Sequence, residues 1–417
     1  MQVAALPKLS DLNDTGFNPF QAETLEYGEF ADTYERLHAL RRTGDIQPGS
    51  LYSFFMKKEN EALRDVTCHI ALGYDTVLRI LTDPETFTNE AFKRTLGQSF
   101  GEKSLTMLDA PEHTRYRRIF QKAFLPTVVN SWGESVVQPV IDELVSKFEH
   151  RGSADLLNEF TRYYPFLVIY RQLGLDEDSR KMFQKIAVTQ TLYRSNLENA
   201  IDAGRKLGQF LRKLVRQRLD QPADDLVTHL AYAEVDGERL PEEVVVSFFR
   251  QLLNAGGDTT YRGTSNVLTG LLTNPRQLEA VRADPALIPQ AIDEGLRWES
   301  PAMVSPRMVA RDVEVSGVML PKGSVVDAVL GSANRDPAKF PDPDCFNIFR
   351  ERQVRAYPFA TGPHVCIGQH LAKVEMTRAL TALLQRLPNL RLDPDKPLPV
   401  IAGFHLRKPS FIHVLFD

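Results

Sequence analysis

The residue best suited to chemistry in this sequence is a cysteine near its C-terminal end. Cys366 lies in the segment Phe359-Ala-Thr-Gly-Pro-His-Val-Cys-Ile-Gly-Gln-His-Leu-Ala372, flanked by Gly362 and Gly368 and followed at once by a strongly apolar helical stretch. Glycines on both sides let a tight loop bring backbone N–H groups close to one sulfur, and the helix start adds the positive end of its dipole. Both favour a thiolate over a thiol, so the pattern predicts a cysteine of lowered pKa, suited to holding a metal. A cysteine taken alone is more often an inert buried residue; its neighbours raise the metal reading.

A second candidate lies upstream, in Ala255-Gly256-Gly257-Asp258-Thr259-Thr260. Each glycine inside a helix costs about 1 kcal/mol relative to alanine, and something should offset that. Either the glycines let another helix pack closely, or the helix opens locally so that small residues admit a ligand and freed backbone groups bind water. Position alone does not choose between these; the cysteine segment favours the second.

These residues need elements to hold them. The longest helix candidate starts at Pro241-Glu242-Glu243, with proline and carboxylates in its first turn, and runs to Asn274-Pro275. At roughly 30 residues it would span about 45 Å and cross a domain of this size, so it should be central. The rest reads as amphipathic helices separated by proline-bearing turns, with no internal repeat. Strand signals are short: Val66 to Ile70, a pair formed by Val313 to Val318 and Ser324 to Val329 around Pro321-Lys322-Gly323, and the tail Phe411 to Phe416. The fold class expected is mainly α, a helical body with small β-sheets, as a single domain over residues 1–417.

Composition narrows the function classes. Fifty Lys and Arg against 54 Asp and Glu leave a net charge of -4, which gives no global electrostatic case for nucleic acid or an anionic membrane. Met1 to Asn18 has neither a basic start nor an apolar run, so a signal peptide or membrane anchor is not expected, and a soluble cytoplasmic protein is. Three dispersed cysteines, Cys68, Cys345 and Cys366, suit a reducing compartment and exclude cysteine-rich zinc sites.

The two segments together resemble the cytochrome P-450 family. Its cysteine loop, Phe-x-x-Gly-x-His/Arg-x-Cys-x-Gly, is matched by Phe359, Gly362, His364, Cys366 and Gly368. Its helix motif Ala/Gly-Gly-x-Asp/Glu-Thr is matched by Ala255, Gly256, Asp258 and Thr259, and its Glu-x-x-Arg pair by Glu294 and Arg297. Weaker matches are Asp109-Ala-Pro-Glu-His113 with Arg117, Arg307 after Pro301, Asn334-Arg-Asp-Pro337, and Phe340-Pro-Asp-Pro343 with Phe346 and Arg350.

The resemblance implies haem b lying between the long central helix and the helix that follows the cysteine loop, with Cys366 as the iron's ligand. Ala255, Phe359 and Gly368 would border it, and His113, Arg117, Arg307 and His364 would bind its propionates. Asp258 and Thr259 would deliver protons to dioxygen, Asp258 linking Thr259 to solvent and Thr259 donating a hydrogen bond. Glu294 and Arg297 would form a structural ion pair. One departure is Cys345, where the family often has an arginine that completes this pair; Arg335 or Arg350 is the expected substitute.

The implied activity is a monooxygenase that inserts one atom of O2 into a small-to-medium hydrophobic substrate, hydroxylation foremost. Electrons would come from NAD(P)H through a separate ferredoxin and ferredoxin reductase, since no flavin or iron–sulfur motif accompanies the haem domain. Arg115, Arg118 and Lys122 could steer an acidic donor to the cysteine side. Phe248, Gln251 and Ala255 share the face of Thr259, and the family pattern adds Met303, Val304 and Phe404 to the substrate pocket. Gln251 would either bond a polar group of the substrate or serve as an ordinary helix-surface amide. Rival functions are a peroxide-driven haem-thiolate enzyme and a haem-based sensor or ligand carrier, though both have less use for the acid–alcohol pair.

Overall fold

A computed structural model describes residues 26–175, 177–194, 196–351 and 354–417. The segment Met1 to Asn18, read above as carrying no leader, lies outside the described residues.

The body is helical, and seven helices frame the site: α1 (Glu90–Phe100), α2 (Glu112–Ala123), α3 (Tyr164–Gln172), α4 (Leu197–Asp220), α5 (Glu242–Leu272), α6 (Ile288–Trp298) and α7 (Gln369–Arg386). The central helix α5 is 31 residues long and has Pro241 at its N-cap, with Glu242 and Glu243 in its first turn, as its sequence predicts. Arg212 and Arg216 of α4 hold those two carboxylates, Arg216 Nε lying 2.7 Å from Glu242. Most of α5 is buried. Its close neighbours enter where it lacks side chains: a Cβ on Gly263 would lie 2.7 Å from Met376 of α7, and one on Gly270 would lie 2.7 Å from Phe346.

The principal sheet is mixed. It contains β1 (Ile46–Pro48), β2 (Cys68–Ala71), β3 (Phe87–Thr88), β4 (Ser305–Val309) and β7 (Val325–Ala328), in the order β1-β2-β7-β4-β3. β2 and β7 run parallel and the other pairs antiparallel. The hairpin expected around Pro321-Lys322-Gly323 does not form. Instead β5 (Val313–Val315) pairs with β6 (Val318–Leu320) across Ser316 and Gly317, both at positive φ, which is the turn that matches strand twist. Val325–Ala328 is thereby released to join the main sheet beside Ser305–Val309. On β4, Ser305, Arg307 and Val309 alternate as the buried positions, so the pleat turns Arg307 inward.

Candidate functional site

The cysteine loop is closed by its own backbone. Cys366 N–H donates to Phe359 O at 3.0 Å and Val365 N–H to Gly362 O at 3.1 Å. Gly362 has φ +76°, and a Cβ there would lie 2.2 Å from Leu81 O, so no other residue fits. Gly368 is the N-cap of α7, and the N–H groups of Gly368 and Gln369 both donate to the Cys366 sulfur. Phe359 packs partly buried against the main core.

Cys366 is an exposed residue, yet protein surrounds its thiol so closely that desolvation is the largest influence on it. The expectation of a lowered pKa is therefore corrected. Burial raises the Cys366 thiol, and the Gly368 N–H, Arg117 and the Gln369 N–H oppose that without reversing it. A bound cation would supply what the helix start does not, because a coordinating thiol is deprotonated outright.

The central helix carries a second open surface. Apart from Glu242 and Glu243, its residues that are not buried are Gln251, Ala255, Gly256 and Thr259. Their spacing of four, one and three puts them on a single stripe. Ala255 is exposed midway along a helix that is otherwise enclosed. α5 and α7 touch at Gly263 and Met376; the open stripe precedes that contact on α5, and Cys366 lies just before the start of α7.

The expected opening of α5 is absent. It runs as unbroken α-helix through Gly256 and Gly257, and those glycines serve close packing: a Cβ on Gly257 would lie 2.4 Å from the Phe166 ring of α3. Thr259 Oγ1 donates to Ala255 O at 2.8 Å. Its single proton is thereby committed, so in this rotamer the oxygen accepts rather than donates on the chamber side.

Nor does Asp258 open directly to solvent. It is 2% exposed and pairs with Arg262 one turn along, both buried.

Beside the cysteine loop two histidines and two arginines converge, with Asp109 as the nearby carboxylate. The His113 and His364 rings lie 3.9 Å apart, and His113 Nε2 is buried with no hydrogen-bond partner. Arg117 donates to Val365 O at 2.6 Å, and Arg307 donates to Ser305 Oγ at 2.8 Å. His364 Nδ1 meets Asn89 Nδ2 at 2.8 Å, while Asp109 is 3.8 Å from Nε2. Burial first, then Arg117 and Arg307, push His113 down to about 4. His364 is driven lower still by burial, His113 and the same two arginines, and burial brings Arg307 to about 10. Groups so disposed against their own charge fit a dianionic edge such as a pair of propionates. With Cys366 at the same loop, this donor set suits haem held by one thiolate.

The Glu294 and Arg297 side chains form a bidentate pair, both contacts 2.8 Å and both residues buried. The third partner is Arg350, whose Nε lies 3.2 Å from Glu294 Oε1. Arg335 turns instead to Glu299, at 2.9 Å, and to Asp344. Cys345 contributes its carbonyl, which accepts from Arg297 and Arg350.

Several expected pocket residues are used in packing. Phe248 stacks on Phe120 of α2 with centroids 3.9 Å apart, filling the contact between two helices. Met303 and Phe404 have no accessible surface: Tyr34 hydroxyl donates to the Met303 sulfur at 3.4 Å, and Phe404 stacks on Phe55. Val304 belongs to the same cluster. Gln251 bonds to Thr106, through both the Thr106 hydroxyl and the Thr106 N–H. On the opposite side, Arg115, Arg118 and Lys122 line a surface groove of about 900 Å³ beside Pro363, and Arg115 and Arg118 share Asp236. Sequence reasoning missed Arg262, although its spacing from Asp258 signals an ion pair, and Asn89, for which there was no signal.

A mainly helical chain that brings one cysteine to a helix start beside a cluster of arginines and histidines, and carries an acid–alcohol pair on its central helix, has the build of a haem-thiolate oxygenase. The comparisons agree. The family model for Cytochrome P450 matches residues 60–414, and the chain belongs to that family, whose members hold haem, use O2 and act as monooxygenases. It is 38% identical over 290 residues to Cytochrome P450 107B1 of Saccharopolyspora erythraea, covering 69% of this chain and 71% of that one. With Cytochrome P450-terp of a Pseudomonas species it shares 30% identity over 347 residues, 79% and 80% of the two chains. Among solved structures, Cytochrome P450 CYP109Q5 from Chondromyces apiculatus superposes with a TM-score of 0.80 at 29% identity, covering 95% of this chain and 96% of that one. P450BioI, solved with an acyl carrier protein bearing hexadec-9Z-enoic acid, gives 0.80 at 28% identity and 92% and 98% coverage. Among the described residues no helix is long and apolar enough to cross a membrane.

Proposed function

We propose that this monooxygenase hydroxylates a small-to-medium hydrophobic molecule, drawing electrons from NAD(P)H through a separate ferredoxin and its reductase. The observation that carries the reading is the stripe Gln251, Ala255, Gly256 and Thr259 on an otherwise enclosed helix, which joins an open surface to a proton-handling pair. Haem, when bound, supplies reductive activation of dioxygen, with its thiolate ligand favouring O–O cleavage. Cys366 would be that ligand, and Arg117, His113, His364 and Arg307 would hold the propionates.

The chain's own part is proton handling and exclusion of water. Thr259 accepts a hydrogen bond as its hydroxyl stands and, on rotating it away from Ala255 O, would donate one to dioxygen. Asp258, held by Arg262, is the nearest acid in sequence and, when its side chain turns, takes a proton from water and passes it to Thr259. General acids so placed contribute roughly 10²- to 10⁴-fold. Ala255 and Gly256 leave only small apolar surface toward the substrate, which favours an apolar molecule.

The groove carrying Arg115, Arg118 and Lys122 beside the cysteine loop suits an acidic electron donor. A peroxide-driven enzyme is the second reading, and the buried acid beside Thr259 argues against it.

The test is optical titration of the ferric protein with terpenoids, steroids, fatty acids and aromatics, followed by turnover of the compound that shifts the spin state. Product with ferredoxin, reductase and NAD(P)H supports the proposal. Product with peroxide alone selects the rival, and absence of product under both conditions selects a sensor or carrier.

A further inference from the structure

Helix α1 runs from the cysteine loop to the central helix. At its start Asn89 meets His364 of the cysteine loop at 2.8 Å, and Phe92 lies under the Arg307 guanidinium at 6.0 Å. Its far end is gripped by the central helix: Arg250 Nη2 donates to Ser99 O at 2.6 Å and to Gln98 O at 3.2 Å. These are carbonyls of the last turn, where a cation is favoured by the helix dipole. Gln190 donates to the same Ser99 O at 2.8 Å.

The grip is built closely. Arg250 is 9% exposed and, among the described residues, makes no ion pair. Burial lowers its pKa, a cost partly relieved by Glu243. Its guanidinium passes between α1 and α4, where a Cβ on Gly204 would lie 2.1 Å from Ser99 O and 2.8 Å from Arg250 itself. The next residue, Gln251, binds Thr106 at the other end of the connecting turns. Two adjacent side chains of α5 therefore hold both ends of the segment 98–106. Gln251 also heads the open stripe that continues to Ala255 and Thr259.

We propose that Arg250 and Gln251 form a clasp that sets the height of this segment as a roof and thereby decides how large a substrate the chamber admits. The proposal rests on reading the chamber as the substrate site. Arg250 acts as a positioning residue, through the roof, and Gln251 is occupied by Thr106 until the roof lifts.

The test uses the haem-loaded protein and its Arg250→Gln, Arg250→Lys and Thr106→Val variants. Amide hydrogen exchange is followed over residues 95–107, and binding of imidazole and of a bulky triaryl imidazole is read from the haem spectrum. In R250Q, exchange of this segment should rise roughly tenfold, the scale of a lost hydrogen bond to a charged group. The affinity ratio should move by a similar factor toward the bulky azole. R250K, which keeps the charge but loses the fork, should fall between.

T106V removes the partner from the roof side and carries the test if R250Q does not fold. It should shift the ratio in the same direction. A merely structural lesion would weaken both azoles alike. Unchanged exchange in R250Q and T106V overturns the clasp, as does faster exchange with an unchanged ratio. A parent protein in which neither azole perturbs a haem spectrum overturns the reading of the chamber instead.

Discussion

Arg262 holds Asp258 from one turn further along the same helix, with Nε and a terminal guanidinium nitrogen both 3.1 Å from one carboxylate oxygen. Neither side chain is more than 3% exposed. A carboxylate so buried loses hydration that a cation fixed beside it replaces. Replacing Arg262 with Gln should cost about 3 kcal/mol of stability, as expected when one partner of a buried pair is removed. Urea denaturation measures that cost. The same variant should slow proton delivery, seen as a larger solvent isotope effect on product formation.

Thr259→Ala should consume oxygen at near the parent rate while forming little product, because the hydroxyl beside the chamber is lost. Thr259→Ser should restore most of the product. Oxygen uptake and product measured together decide the matter; full coupling in the alanine variant would end the relay assignment.

The triad of Glu294, Arg297 and Arg350 is unequal. Arg297 makes two 2.8 Å contacts to Glu294 and also bonds Asn334 O and Pro343 O, whereas Arg350 approaches Glu294 through Nε alone. Arg297→Ala should cost about 3–5 kcal/mol and loosen haem retention. Arg350→Ala should cost about 1–2 kcal/mol, the loss of the weaker contact. Thermal denaturation with haem release ranks the two.

His113 gives a pH signature. In the haem-free fold its pKa is about 4, against an ordinary 6.5, so between those values the unfolded chain binds the proton and the fold does not. Stability conferred by the neutral ring is complete above pH ~6.5 and falls as pH drops toward ~4. Haem-free protein should therefore lose stability across this window. Haem should flatten the curve, because its propionates supply the missing anion, and His113→Phe should remove the same part of the slope. Denaturation midpoints at successive pH values, with and without haem, provide the check.

Much of this site was legible in the chain. The start and length of α5 followed from Pro241, the paired glutamates and Asn274-Pro275, all of which act within a few residues. The loop around Cys366 followed from glycines whose placement is local. The main sheet did not follow, because pairing of Val325–Ala328 with Ser305–Val309 competed with a nearer hairpin, and Ser316-Gly317 decided it. The direction of the Cys366 pKa was misread for a related reason: dipole and amide donors are visible in sequence, and the depth of burial that outweighs them is not.

The sequence by itself determined which residues could do chemistry, that a long helix would carry the acid and alcohol, and that a helix start would present the sulfur. Those features depend on backbone conformation and short spacings. Only the tertiary structure decided that Arg350 completes the Glu294 pair, that Phe248, Met303 and Phe404 pack instead of facing a chamber, and that Arg250 and Gln251 hold a roof more than 140 residues away in sequence. Each of these depends on which side chains meet across separate elements, and periodicity within one element cannot specify its partner.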